Sequence, residues 1–145
     1  MARNIIFIIS FFLACSATAQ NLNNDIPPLV KQSFERRFAH SDNVLWKALE
    51  SHCFKAAFQI GKVLYSATFK DTGDWLEIDR EIKKGYLPKP IRTTITKKFP
   101  GYRIDTAERI ERIDGDTLYK VYLKKEFAVR IVQFSLAGDV IKIIQ

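Results

Sequence analysis

The chain is poor in the residues that most often carry chemistry. Its 145 residues include two cysteines, Cys15 and Cys53, two histidines, His40 and His52, and a single methionine. Two cysteines exclude a disulfide scaffold, and two histidines exclude a His-rich metal site. Glycine is also scarce, at six residues, and no phosphate-binding loop, paired-glycine dinucleotide fingerprint or serine elbow can be found. Long apolar runs are missing beyond the first twenty positions, so no later segment is long enough to cross a bilayer. What remains is ordinary globular material: 47% hydrophobic, 27% charged, with a formal charge of +7. That length suits one domain, or two very small ones sharing a core.

The N-terminus reads as an export signal. Arg3 is the only charge before Asp25, an apolar run covers Ile5 to Ala14, and Ser16-Ala17-Thr18-Ala19 follows. A basic start, a short apolar stretch and an A-x-A site define a secretory signal peptide. Residues 1–19 are thus expected to be removed between Ala19 and Gln20, leaving a short flexible start at 20–26 and a periplasmic or secreted protein. A second route, lipidation at Cys15 after Leu13-Ala14, loosely matches a bacterial lipoprotein box, although Phe12 stands where an aliphatic residue is usual. Loss of Arg3 lowers the charge to +6 and leaves Cys53 alone, unable to form an internal disulfide. Cys53 is then expected to be a small, partly buried apolar residue.

Beyond the leader one pattern is written twice. Val30, Phe34 and Phe38 repeat as Ile91, Ile95 and Phe99, 61 positions on (99 − 38), each triplet forming one helical stripe at i, i+4 and i+8. Each stretch has proline at its start and two cations, Arg36-Arg37 or Lys97-Lys98, in its last turn. After each helix the period becomes two. Strands are expected at 44–49, 53–60, 63–70 and 75–79, then at 102–112, 117–124, 128–134 and 140–144, joined by short polar or glycine-bearing turns. Gly73 and Gly138 match at 65 positions, so the second half carries a longer first hairpin. The expected fold is α+β: two tandem helix-plus-four-strand antiparallel units, residues 27–84 and 85–145, with one helix on one face of each sheet.

Alternation assigns the faces. Phe54, Ala56, Phe58 and Ile60, then Val63, Tyr65, Ala67 and Phe69, should meet the first helix, with Leu76 and Ile78 behind them. The second half supplies Tyr119, Val121 and Leu123, then Val132 and Phe134, then Ile141 and Ile143. The opposite face is left to water or to a partner. By the same parity Trp75, Glu77 and Asp79 should line it, joined by Lys120, Tyr122 and Lys142.

The run Phe69-Lys70-Asp71-Thr72-Gly73-Asp74-Trp75, then Leu87-Pro88, then Phe99-Pro100-Gly101-Tyr102, with Val44-Leu45-Trp46 after the first helix, resembles the PepSY-like family of exported bacterial proteins. These are also described as β-lactamase-inhibitor-like, and the likeness extends from about Pro27 to Ile144. It implies two tandem helix-plus-sheet units and no catalytic residue set. The second half departs from the first: Val140 stands where Trp75 would repeat, and Ala107 where Trp46 would.

No catalytic group is expected. His52 and Cys53 are adjacent on a strand start, so their side chains point apart and cannot easily pair. The turn aspartates Asp71, Asp74, Asp114, Asp116 and Asp139 lack the spacing of a calcium loop. No cofactor and no metal site is expected. The lysine pairs could suit nucleic acid, but export argues against it, leaving anionic envelope components as the partner for weak contacts. Exposed aromatics ringed by charge fit protein recognition, so Trp75, Glu77, Lys120, Tyr122 and Lys142 are the candidate partner-binding residues. The function expected is an exported, non-enzymatic binding protein that engages another envelope protein or peptide through the open sheet face, with inhibition of that partner among the expected outcomes. The alternative is an accessory or stress-related envelope protein that binds small anions or anionic lipid at its basic surface.

Overall fold

The computed structural model describes residues 25–144; the expected leader, its expected cleavage site between Ala19 and Gln20, and Cys15 lie outside them. Helix α1 (Pro28–Arg37) and helix α2 (Lys89–Lys98) are ten residues each. Helices this short are marginal alone, and neither has a side-chain cap at its N-terminus. Their stripes hold them in place: Val30 and Phe34 on α1, Ile91 and Ile95 on α2, are buried, as expected.

Four strands follow α1: β1 (Asp42–Leu49), β2 (Cys53–Ile60), β3 (Val63–Lys70) and β4 (Trp75–Ile82). A single 3-10 turn at Lys84–Tyr86 leads into α2, and β5 (Arg103–Arg112), β6 (Thr117–Lys125), β7 (Ala128–Ser135) and β8 (Val140–Ile144) complete the chain. All are antiparallel and pair in sequence order from β1 to β8. The expectation of a separate sheet for each helix is corrected here. β4 pairs with β5 from Glu77↔Arg112 to Ile82↔Ala107, so one eight-stranded sheet runs across the molecule. Extended β4, three residues longer than alternation alone suggested, supplies that seam.

Two cores lie side by side on one face of this sheet. The first gathers Val30, Phe34 and Phe38 against Ala56, Phe58, Ala67 and Phe69; the second gathers Leu87, Ile91 and Ile95 against Ala107, Val121, Leu123, Val132 and Phe134. Ile78 packs on the first core and Ile82 on the second. Four residues apart on β4, they share a face, so both helices cover the same side. Phe34 is the hub of the first core, edge-on to Phe58 at 4.9 Å and to Trp46 at 5.2 Å.

A bulge at the start of β4 overturns the expected parity. Thr68 pairs with Glu77 but Phe69 pairs with Trp75, leaving Leu76 as the extra residue. Trp75 therefore turns to the helix side, where it packs on the first core beneath the Arg37 guanidinium, 4.7 Å from the ring centroid. Trp75 is thus not a residue of the open face, and Leu76 is not a core residue. β8 repeats the device: Phe134 pairs with Val140, Ile141 is the extra residue, and Val140 rather than Ile141 packs on the second core. A bulge inserts one residue without a partner, which alternation counted along a single strand cannot detect.

Gly73 and Gly138 explain how the turns before β4 and β8 fit under the helices. Their φ angles are +87° and +93°, and a Cβ at either would stand 2.8 Å from backbone of Leu29 or Pro90, in the first turn of the helix. Only glycine accepts both the conformation and the approach.

Candidate functional site: the uncovered sheet face

Among the described residues no other element covers the face opposite the helices, yet its centre is not exposed. Asp79, midway along β4, is only 4% accessible, and its strand neighbour Ile110 on β5 is 2% accessible. Long side chains from adjacent strands cover them. Ser66 on β3 donates to Asp79 Oδ2 at 2.9 Å, and Lys55 Nζ on β2 lies 3.1 Å from the same oxygen. From the other side Lys120 Nζ on β6 stands 3.6 Å from Asp79 Oδ2 and 2.6 Å from Glu108 Oε2. Tyr122 donates to Glu108 Oε1 at 3.3 Å. The result is a chain of charges, Lys55–Asp79–Lys120–Glu108, ended by the neutral Tyr122 hydroxyl, that spans the β4–β5 seam and ties together strands from both halves.

Asp79 Oδ1 is the irregularity in this network: buried, with no hydrogen-bond partner. A buried acceptor left unmatched costs stability, and here it sits beneath two ammonium groups that offset its charge. Burial pulls the Lys120 ammonium down, but the charges of Glu108 and Asp79 and the hydrogen bond that Lys120 donates to Glu108 outweigh it, and the net shift is upward. Burial pushes the Tyr122 phenol up, and the Glu108 charge adds to it. Lys120 is therefore a fixed cation and Tyr122 a neutral donor at any physiological pH. Neither is poised as a base or nucleophile, since both would need depressed values for that. The arrangement suits recognition by charge and hydrogen bonding.

Of the candidate residues read from sequence, Lys120 and Tyr122 lie in this network. Glu77 is on the same face one row away, paired between Thr68 and Arg112. Lys142 also faces this side, on β8 beyond Gln133, two strands from Lys120 and well exposed. Trp75 is on the other side. Alternation places Asp79 on this face without marking it as the centre, and it does not single out Lys55, Ser66 or Glu108. One signal was available: Glu77, Asp79 and Glu81 alternate along β4, a row of carboxylates that neighbouring strands must neutralise. Cys53 is partly buried at the start of β2, with its thiol 3.5 Å from the Ser51 carbonyl, while His52 sits in the preceding turn at φ +56°. Among the described residues no cluster of three or more His, Cys, Asp or Glu could hold a metal ion, and no helix is long and apolar enough to cross a membrane.

No curated protein sequence matches the chain. Solved structures do resemble it. A protein from Bacteroides eggerthii described as a putative periplasmic protein superimposes with a TM-score of 0.72 at 11% identity, over 81% of this chain and 87% of that one. A DUF2874 family protein from Bacteroides uniformis gives 0.71 at 12% identity, over 81% and 88%. A BLIP-like protein from Bacteroides fragilis gives 0.63 at 14% identity, over 80% and 83%. Identities this low speak for a shared fold and not for a shared activity. The family described as "Putative beta-lactamase-inhibitor-like, PepSY-like" matches residues 52–142, from the turn before β2 to Lys142 in β8. With the eight-stranded sheet, the two helices on one face and the glycine-bearing turns beneath them, that match establishes that the chain belongs to the PepSY-like family.

Proposed function

We propose that this is an exported, non-catalytic binding protein, of inhibitor type, that holds another envelope protein or peptide against the uncovered sheet face. The observation that carries this reading is the ordered charge network on a face with no covering element. Buried Asp79 fixes Lys55 and Lys120, which fix Glu108 and Tyr122, so the polar groups are held in place before any partner arrives. Preorganised groups lose less entropy on binding than mobile ones. The neighbours described as BLIP-like and periplasmic agree with such a role. We further read residues 27–84 and 85–145 as one unit duplicated. Matching bulges in β4 and β8, and glycines pressed against matching helix turns, support that reading.

The test is site-directed photo-crosslinking in the native envelope. A photoreactive residue at Ala57 or Gln133, on the open face, should trap a discrete partner, and one at Thr93 on α2 should not. Tyr122→Ala should reduce the open-face crosslink at least tenfold with little change in melting temperature. Equal crosslinking from both faces, or a crosslink indifferent to Tyr122, would overturn the proposal.

A further inference from the structure

The end of the molecule away from the Asp79 network has a different character. Strands β6 and β7 are joined by a two-residue turn, Glu126-Phe127, between the paired residues Lys125 and Ala128. Phe127 is 101% accessible, with its ring covered by none of the described residues. Glu126 is held at φ +50°, a conformation uncommon outside glycine and the small polar residues. The turn between β2 and β3, 65 positions earlier (126 − 61), is Gly61-Lys62, with glycine at the left-handed position and a charged residue at the tip. The β6–β7 turn instead accepts strain at a glutamate and projects an aromatic into solvent. Val129, two residues on, is also exposed.

Cations surround this tip. Arg103 at the start of β5 pairs with Lys124 at the end of β6. Lys125 lies against the Gly101 backbone and 6.0 Å from the centroid of Tyr102, whose hydroxyl accepts from Arg130 Nε at 3.1 Å. Lys97 and Lys98 close α2, which the Phe99–Tyr102 link joins to the start of β5. Lys97, Lys98, Arg103, Lys125 and Arg130 make no ion pair among the described residues. Asp105 and Glu126 are the only carboxylates within this stretch of the chain, 97–105 and 124–130.

We infer that this end is a docking surface for an anionic lipid bilayer, with Phe127 entering the interface and the surrounding lysines and arginines meeting lipid phosphates. A cationic ring alone would suit any polyanion. An apolar side chain at its tip, with no place in the fold, is what an interface with acyl chains accepts and a soluble anion does not. The surface is separate from the proposed partner face. Lys125 is five residues along β6 from Lys120, about 17 Å at the rise of a strand, so docking leaves the Asp79 network free.

The experiment is co-sedimentation of the purified protein with vesicles of phosphatidylglycerol and phosphatidylethanolamine, against vesicles of phosphatidylcholine alone. Binding is expected to the anionic vesicles only and to weaken as salt is raised. Phe127→Ala should cut it roughly fivefold to tenfold. Lys125→Gln and Arg130→Gln should each cut it about fivefold, the effect of one cation near an anionic surface. Phe127→Ala removes no contact, so the melting temperature should not move. Tyr122→Ala should leave vesicle binding intact, which keeps this test independent of the open-face reading. Equal binding to both vesicle types would overturn the inference. So would anionic binding that inorganic phosphate abolishes and Phe127→Ala does not change, since that describes a simple anion site. Loss of the open-face protein crosslink in Phe127→Ala would assign the tip to that interface and would equally overturn it.

Discussion

Asp79 shows how much one side chain can organise on a face that nothing covers. Its removal leaves Lys55 and Lys120 facing each other without the carboxylate between them. Because the two lysine side chains keep 32% and 18% of their exposure, the loss falls below that of a fully buried pair, and Asp79→Ala should cost about 2 kcal/mol in urea denaturation. Gly73 makes a sharper case. Alanine there must both adopt φ +87° and place a Cβ 2.8 Å from the Leu29 carbonyl oxygen, so Gly73→Ala should lose about 1–3 kcal/mol. Gly61→Ala is the control: it has a positive φ but nothing within 4 Å, and the loss should be about 1 kcal/mol. Equal losses at the two glycines would mean that the close approach to α1 carries no weight. Trp75, packed against the first core, should behave as a structural residue. Trp75→Ala should cost about 2 kcal/mol and leave the open-face crosslink per folded molecule unchanged.

At the level of elements, the helix stripes are the strongest local signal, and Phe34 and Ile95 sit at their centres. Phe34→Ala and Ile95→Ala should each cost about 2–5 kcal/mol by chemical denaturation, and losses under about 1 kcal/mol at both would contradict the packing described. These stripes and the alternating strands were legible because burial on one side imprints a period on the sequence. β2, β3 and β8 keep the limits that alternation indicates, and the helices end at Arg37 and Lys98, one residue before the last members of their stripes, Phe38 and Phe99. What the pattern could not carry is anything that depends on a second strand. The bulges at Leu76 and Ile141 exist only relative to Phe69 and Phe134 across the ladder, so alternation along a single strand puts Trp75 on the wrong side and leaves Val140 out of the core. The fusion into one sheet depends on β4 extending to Ile82, where Arg80 and Glu81 interrupt the apolar signal. The site was half visible for the same reason. Lys120 and Tyr122 follow from alternation on β6, whereas their link to Asp79 and Lys55 needs the strand order.

Across the whole molecule, the charge network gives folding stability an alkaline limit. Lys120 and Tyr122 both hold their protons more tightly in the folded state than in the unfolded chain, where they would titrate near about 10. The folded protein therefore binds more protons above that pH, and its stability must fall as pH rises beyond about 10. The contribution is fully present below that point, so no change from these groups is expected across the neutral range. Melting curves from about pH 8 to about pH 12 should show the decline, and Glu108→Gln should flatten it by removing the charge that raises both groups. The sequential strand order has a kinetic side as well. Every strand pairs only with its chain neighbours, and most are joined by turns of a few residues, so each ladder can close at the small entropic cost of a hairpin. Contacts of such short sequence separation favour fast folding for a sheet protein. Among the described strands the one long closure is between β4 and β5, whose connection contains α2. A chain emerging N-terminus first can therefore zip from β1 to β4 by hairpins alone, and Lys120 reaches Asp79 only after both the β4–β5 and β5–β6 ladders have closed.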